Sequence, residues 1–290
     1  VDAAPANLWL RVHRPEGVGL VPLLGPSSPS RFDPSDGHFS AQGEAHGLRW
    51  QLVLELAPDA VAWFWRVRLE NLADDAQTAD LVFVQDVALA PYAAVRLNEH
   101  YVSHYLDLTP LRHGTHGWTL AVRQNLAVDG RQPWALFGSL NHAVSFGTDA
   151  LQVHGLAARA GSALPGLLDG LPGIRLQHEH ALVALQDASV TLKPGAHADL
   201  GFFAYVEADH PAASAEPDLA FVEATRALCA PAGPAMASTA SAAEPALFCA
   251  APWLEVFELD EAGITAHFGT ERRHAEHEGG QLLSSFSGAQ

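Results

Sequence analysis

The chain has 290 residues, 48% of them hydrophobic, and a formal net charge of −17. The length suits one large β-domain, and the negative charge argues against nucleic acid and anionic membrane surfaces as partners, because both would repel it. No apolar run reaches the ~18 residues of a membrane helix, and no signal-peptide pattern opens the sequence. Its two cysteines make no disulfide framework, so we expect a cytoplasmic protein with reduced thiols. Because the chain starts without Met and ends on SSFSGAQ, we expect it to be part of a longer protein.

Apolar and polar residues alternate through much of the chain, which is the period of a half-buried strand. In the first part, strands are predicted over 7–13, 19–24, 48–56, 62–70 and 81–87, with a loop over 25–36. Farther along, strands are predicted over 118–123, 133–137, 142–146, 174–184, 188–192 and 197–207. The polar run 112–117 and Asp129-Gly130 are predicted turns, and 155–173 is an excursion with one helical turn. Many short strands separated by turns indicate an antiparallel sandwich or barrel.

The C-terminal part has a different pattern. Residues 216–229 carry acidic side chains near their start and apolar residues about one turn apart, which predicts a short helix. Residues 230–244 are rich in Ala, Pro and Ser and indicate a flexible loop, while 253–268 return to strand-like alternation. We therefore divide the chain into a β-sandwich domain over 1–213 and a region over 214–290, in which a helix, a flexible loop and strands lead toward a linker.

Hydrogen-bonding side chains are concentrated after Pro91 in the segment VQDVALAPYAAVRLNEHYVSHYLD, residues 84–107. Within ten residues the segment has Asn98, Glu99, His100, Tyr101, Ser103, His104, Tyr105 and Asp107. Tyrosine and histidine rings mixed with carboxylates and amides suit a sugar, which has apolar ring faces and hydroxyl edges. The alternative is a polar turn at the end of a hairpin, whose aromatic residues close the rim of the core.

Other candidate groups carry weaker signals. The histidine pairs show no set of three ligands, so no metal site is predicted; these pairs are His100 and His104, His178 and His180, and His274 and His277. None of the candidate carboxyl groups has a motif that assigns it acid or base duty; they are Asp86, Glu99, Asp107, Asp149 and Glu179. Arg123, Arg272 and Arg273 could meet phosphate, although a solvated turn explains Arg272-Arg273 better. Trp118 and Trp134 are either core residues or sugar-stacking platforms, with the core favoured.

Five blocks of sequence, in order, resemble the glycoside phosphorylases of glycoside hydrolase family 94. The blocks are QDVALAPYAAVRLNEHYVSHYLD, RQNLAVDGRQPWALFGS, FGTDALQVHG, GFFAYVEADHPAA and HFGTERRHAEHEGGQLLSSFSG. The upstream NLWLRVH and LLGPSSPSRF fit as well, so the likeness covers nearly the whole chain. It is strongest to the branch that acts on β-1,2-linked glucooligosaccharides and to the phosphorylase-like module of cyclic β-1,2-glucan synthases.

The resemblance implies a mainly β fold, a large antiparallel supersandwich of the galactose mutarotase type, followed in the family by an (α/α)6 barrel. In the family the general acid and the phosphate-binding residues lie in that barrel, so it implies no catalytic residue and no metal ligand in this chain. The parent would cleave β-1,2-glucooligosaccharides with inorganic phosphate as co-substrate, inverting to α-glucose 1-phosphate. It would need no cofactor and would form a homodimer, with the sandwich packed on the barrel.

The resemblance also implies positions near the substrate entrance or an interface. Those that match the family block are Asn98, Glu99, Tyr101, His104, Tyr105 and Asp107. Arg123 and Trp134 are added to this set. His104 stands where the family pattern leads us to expect glutamine, and Leu108 where it leads us to expect histidine. The alternatives are a module of a cyclic glucan synthase, a free carbohydrate-binding domain and a mutarotase-like epimerase.

Overall fold

The computed structural model describes residues 6–25, 27–33, 39–155, 164–176, 180–229, 259–271, 274–278 and 281–286. Contacts divide the chain into two compact units, Val1–Glu244 and Pro245–Gln290. The helical segment after residue 215 belongs to the first unit by this division, and the predicted boundary between residues 213 and 214 stays a prediction. Among the described helices, none is long and apolar enough to cross a membrane.

Fourteen strands of the first unit form a single sheet. They are β1 (Ala6–Arg14), β2 (Gly17–Pro22), β3 (Arg31–Asp33), β4 (Phe39–Ala45), β5 (Leu48–Leu56), β6 (Ala62–Asn71), β7 (Gln77–Asp86), β8 (Leu106–His113), β9 (Gly117–Gln124), β10 (Trp134–Ser139), β11 (Ala143–Asp149), β12 (Ala181–Asp187), β13 (Val190–Leu192) and β14 (His197–Glu207). Their order is β2-β1-β7-β12-β11-β9-β10-β14-β6-β5-β4-β3, with β13 on β7 and β8 on β9. The described strand pairs are antiparallel apart from β11 and β9, which share a parallel bridge between Ala143 and Gly117; an isolated bridge between Gly147 and Ile174 is also parallel. The predicted mainly β class is confirmed.

The sheet curls so that one of its faces packs against itself. The ring of Phe83 on β7 lies 5.4 Å from that of Phe202 on β14 and 6.2 Å from that of Phe137 on β10. Since β7 does not neighbour β10 or β14 in the sheet order, these contacts cross between two layers. The core between the layers draws residues from most strands, such as Leu10 and Trp50, both fully buried. That arrangement is a β-sandwich.

Both faces of the central strands are apolar, because short helices cover the sheet from outside. Val183 on β12 joins the main core, whereas its neighbour Leu182 packs on the opposite face in a cluster with Val153 and Leu167. On another part of that face, Val222 packs against a cluster that contains Trp134. The described helices of the first unit are α1 (Tyr92–Leu97), α2 (Glu99–His104), α3 (Ala150–His154), α4 (Pro165–Leu168), a 3-10 turn (Glu216–Leu219) and α5 (Ala220–Leu228).

Two interpretations of the sequence differ from the structure in secondary structure. The polar stretch after Pro91, for which a polar turn was the alternative interpretation, forms α1 and α2, and Asn98 caps α2 by accepting a hydrogen bond from the Tyr101 amide. Residues 253–268 were expected to be strand-like, yet Glu261–Phe268 is a helix, α6, which the carboxylate of Asp260 caps. In both places a local side-chain cap stabilises a helix too short to show its period.

Three strands of the first unit were missed, and part of another prediction lies outside the described residues. β3 falls in the predicted loop 25–36, and β4 and β8 were not predicted; the end of β8 at His113 falls in the predicted turn 112–117. The strand predicted over 174–184 begins only at Ala181, as β12; residues 174–176 and 180 are outside it, and residues 177–179 lie outside the description. The loop predicted over 230–244 and residues 253–258 of the strand-like prediction lie outside the description as well. The predicted helix over 216–229 and the helical turn within 155–173 are confirmed by the 3-10 turn with α5 and by α4. In the second unit, α6 is followed by a hairpin of β15 (His274–Glu278) and β16 (Gln281–Phe286).

Candidate functional site

The polar residues singled out by the sequence follow β7 and run through α2 into β8; we call this set the α2 rim. Its members are Asn98, Glu99, Tyr101, His104, Tyr105 and Asp107, and each is exposed or half-buried. The Asn98 side chain is occupied by capping, since its Oδ1 accepts from the Tyr101 amide at 3.0 Å. Asn98 therefore orders the rim from within.

Tyr101 and Tyr105 stand one helical turn apart and interact directly. The Tyr105 hydroxyl donates to the Tyr101 hydroxyl at 3.2 Å, and the rings meet edge to face with centroids 5.1 Å apart. That hydrogen bond raises the pKa of Tyr105. Two rings in fixed orientation, with hydroxyl groups at one end, give a platform that can contact both the apolar face and the hydroxyl edge of a sugar.

Carboxylates flank this platform. Asp107 forms an ion pair with Arg175 and accepts a hydrogen bond from the Thr109 hydroxyl at 3.2 Å. Glu99 lies near Asp86, whose pKa is raised by partial burial and, after that, by the Glu99 charge. Solvent still reaches Asp86, which limits the effect of burial. These groups are hydrogen-bond acceptors suited to hydroxyl-rich ligands.

The rim is anchored to the sandwich at several points. The Ser103 hydroxyl accepts from the Ala181 amide at 3.1 Å, and the buried Gln124 side chain donates to the carbonyl oxygen of Val102 at 3.4 Å. The rings of His100 and His180 meet edge to face, 4.9 Å between centroids. His178 and Glu179, which the sequence analysis also considered, lie outside the described residues.

Large apolar side chains next to the rim are open to solvent. Tyr92 is 76% exposed, Leu97 87% and Tyr101 48%, and α1 buries none of its residues. Exposed aromatic and aliphatic side chains grouped on one pair of helices are typical of an interaction surface.

Arg123 and Trp134 lie beside the rim in the sheet, since Arg123 on β9 is the cross-strand partner of Asp107 and Trp134 on β10 is that of Arg123. Their own side chains have structural contacts. Arg123 donates to the carbonyl oxygens of His210 and Pro211, each at 2.8 Å. Trp134 is fully buried, donates to the Ser214 hydroxyl at 2.9 Å and stacks on the His210 ring. Trp134 thus has no ring face open to a sugar, and the preference for a core role agrees with its position.

The remaining candidates have structural contacts or lie outside the described residues. The Asp149 carboxylate caps α3, and Trp118 packs on Phe146 with Arg112 against its ring. Arg272 and Arg273 lie outside the described residues.

A second cluster, which the sequence analysis missed, forms where β8 turns into β9. His113 and His116 stack with centroids 5.1 Å apart, and each places Nε2 near the same carboxylate oxygen of Glu223 on α5. The sequence analysis treated residues 112–117 only as a turn. The spacing of the histidines was visible there, but nothing in the sequence pointed to Glu223, 107 residues beyond His116.

The fold therefore defines a mainly β sandwich domain with a polar, partly aromatic rim. The chain belongs to the SOGP N-terminal domain family, whose model matches residues 1–204. It is 29% identical over 213 residues to a 1,2-β-oligoglucan phosphorylase of Listeria innocua serovar 6a, a match that covers 73% of this chain and 18% of that protein. The resemblance seen in the sequence blocks is confirmed, and the chain is related to a carbohydrate-active enzyme.

Similarity among solved structures is more distant. A polysaccharide lyase superposes on 71% of this chain and 26% of its own with a TM-score of 0.44 and 8% sequence identity. At that level the likeness bears on neither mechanism nor substrate. The aligned part of this chain covers only 18% of the length of the Listeria innocua relative.

Proposed function

We propose that this chain is the non-catalytic N-terminal sandwich domain of a longer inverting glycoside phosphorylase. The parent cleaves β-1,2-glucooligosaccharides with inorganic phosphate and releases α-glucose 1-phosphate. The observation that carries the proposal is the family match over residues 1–204 together with the relative named 1,2-β-oligoglucan phosphorylase. Because the aligned region is only 18% of that relative, the chemistry is assigned to the rest of the parent, in an (α/α)6 barrel.

Within this proposal the α2 rim helps to shape the substrate entrance. The Tyr101 and Tyr105 rings offer a stacking surface, and the Asp107 carboxylate, already paired with Arg175, offers an acceptor for a sugar hydroxyl. An ion-paired carboxylate that also accepts from Thr109 suits orientation of a ligand better than proton transfer. No catalytic duty is assigned to the rim.

The exposed apolar groups beside the rim suit a protein partner. Tyr92 and Leu97 are both more exposed than is usual for large apolar side chains. We assign them to contacts with the barrel of the same chain or with the second subunit of a homodimer. Phosphate is the co-substrate and no cofactor takes part; the proposed setting is the cytoplasm, without nucleic-acid or membrane contacts.

The substrate class is tested on the longer protein by offering glucooligosaccharides of equal length but different linkage, with phosphate. The proposal predicts α-glucose 1-phosphate from β-1,2-linked substrates and at least roughly a hundredfold less from β-1,3- or β-1,4-linked ones, because discrimination rests on groups positioned for one linkage. Equal rates, or no phosphorolysis of the β-1,2 substrate, would overturn it. Synthesis of cyclic glucan instead would favour the synthase module.

The entrance role is tested separately with Tyr101→Phe and Tyr101→Ala in the longer protein. If the ring stacks on the sugar, Tyr101→Ala raises KM by roughly tenfold at nearly constant kcat, while Tyr101→Phe keeps most of the affinity. Val61→Ala serves as the control, since Val61 is 65% exposed and lies outside the rim. Unchanged KM in both tyrosine variants would remove the rim from the substrate path.

A further inference from the structure

The cluster of His113, His116 and Glu223 brings three groups that ligate metals to one point. The ligand atoms all lie within 4.8 Å of one another. Two segments distant in sequence supply them: the β8–β9 turn gives the histidines, and α5 gives the carboxylate. The histidine side chains are largely covered, at 17% and 12% exposed, whereas Glu223 is 61% exposed.

The hydrogen bonds of His116 leave a lone pair facing the carboxylate. Nδ1 of His116 lies 3.1 Å from the carbonyl oxygen of Asn141, and a carbonyl oxygen only accepts, so Nδ1 carries a proton. In the neutral ring Nε2 is then an acceptor, yet it lies 3.2 Å from Oε1 of Glu223. Two acceptors face each other stably only if a cation lies between them, which can be a proton on Nε2 or a metal ion.

The two distances from the histidines to the carboxylate are close to those of a tetrahedral site, and the ligand atoms of the two histidines lie within 4.8 Å of each other. Bonds of about 2.0–2.1 Å to nitrogen and oxygen place neighbouring ligands of a tetrahedral Zn²⁺ about 3.3 Å apart. Nε2 of His116 and of His113 lie 3.2 and 3.6 Å from Oε1 of Glu223. Small movements of an exposed glutamate suffice to admit the ion, and its open side leaves room for a water as fourth ligand.

The histidine rings are held in place before any ion binds. The Asn141 carbonyl orients His116, as is usual for the outer partner of a metal-binding imidazole. Nδ1 of His113 accepts from the amides of Thr115 and His116 at 3.3 and 3.2 Å. Coordination by His113 through Nε2 shifts its proton to Nδ1 and gives up these two long contacts, which sets the expected affinity in the micromolar range.

We propose that His113, His116 and Glu223 form a binding site for a divalent metal of the Zn²⁺ class, which fastens α5 to the β8–β9 turn. The ligand set of two imidazoles and a carboxylate suits Zn²⁺ or Co²⁺ rather than Mg²⁺ or Ca²⁺. This site goes beyond the proposed phosphorolysis, takes no part in that reaction, and differs from the sequence expectation that no metal binds.

The proposal is tested by measuring metal binding to the full chain, after bound metal has been removed with a chelator and the chelator has been removed by dialysis. Titration calorimetry with Zn²⁺ is expected to show one ion per chain with micromolar affinity, and Co²⁺ is expected to give the visible absorption of a tetrahedral site. Zn²⁺ should also raise the melting temperature, because ligands of the native state stabilise it.

Two variants locate the ion. Glu223→Gln and His116→Gln are each expected to weaken binding by roughly ten- to a hundredfold and to abolish the Co²⁺ bands. Glu223 is mostly exposed, so its substitution leaves the fold intact. His197→Gln, at the exposed first residue of β14, is the matched control that keeps binding. Absence of Zn²⁺ binding to the unaltered chain, or binding that survives both variants, would overturn the proposal. The cation between His116 and Glu223 would then be a proton on Nε2 of His116.

Discussion

Arg123 donates from Nε to the backbone carbonyl oxygen of His210 at 2.8 Å, across 87 residues of sequence. A second donor of the same guanidinium reaches the Pro211 carbonyl at 2.8 Å, and others reach Asn125 and Gln132. Arg123 is only 9% exposed. The guanidinium thus joins β9 to the chain beyond β14, and its donors are engaged in holding the fold, which leaves little for phosphate.

Replacing Arg123 by Lys is expected to lower the free energy of unfolding by about 2–3 kcal/mol, since an ammonium cannot reproduce the planar fork that reaches two carbonyls. Urea unfolding of the chain measures the change. Arg49→Lys is the control; that side chain pairs with Glu44 and Glu70 at the surface, where loss is at most about 1 kcal/mol. Equal stability of the Arg123→Lys and unaltered chains would contradict the structural role.

Gly117 is required by the turn that carries the histidine cluster. Its φ is +73°, and an added Cβ would meet the Ala143 carbonyl oxygen at 2.0 Å. Gly117→Ala is expected to cost more than about 3 kcal/mol, from backbone strain and the clash together. Gly130→Ala is the matched control, with φ +75° and no atom within 4 Å, so it should cost only about 1–2 kcal/mol. Similar losses for the two variants, measured by urea unfolding, would show that the close approach is absent.

Asp187 gives the chain a pH dependence. The side chain is buried, and its carboxylate oxygens find no hydrogen-bond partner within the described part of the chain. Burial raises the pKa of Asp187 well above its ordinary value; the nearby Ser139 hydroxyl opposes this in part, and the Asp80 charge adds to it. Because the folded pKa is raised, the stability contribution of Asp187 is present below about pH 4 and is lost as pH rises toward the folded pKa.

The Asp187→Asn variant has no carboxyl group to ionise at this position, so it lacks the loss of stability at high pH. The variant is expected to be more stable than the unaltered chain by about 1–3 kcal/mol at about pH 8, with the difference shrinking toward about pH 4. Urea unfolding at several pH values measures it, with the exposed Asp59→Asn as control. A variant that is less stable at high pH would mean that the carboxylate is well solvated or paired.

Strands with clear alternation could be predicted closely from the sequence. β5 occurs at Leu48–Leu56, the bounds that the alternation gave, and β6 at Ala62–Asn71, one residue longer than predicted. Period two identifies a strand wherever the two faces differ in burial. Where both faces are covered, as at Leu182 and Val183 on β12, the apolar run still indicates a strand. It does not show at which residue the strand begins.

Short helices and long-range clusters could not be predicted in this way. α1 and α2 have six residues each, too few for a helical period, so only the cap at Asn98 could have revealed α2. The residues of the α2 rim were found because they are adjacent in sequence. The histidine cluster needs Glu223. The sheet order that brings α5 next to the β8–β9 turn cannot be predicted from the local sequence pattern.

Phosphate release from α-glucose 1-phosphate with sophorose as acceptor, measured on this chain and on the longer protein, tests whether the domain belongs to a phosphorylase and whether it carries any catalytic group. Release by the longer protein and none by the chain alone is expected. Release by the chain alone would contradict the absence of catalytic groups, and no release by the longer protein would contradict the phosphorylase assignment.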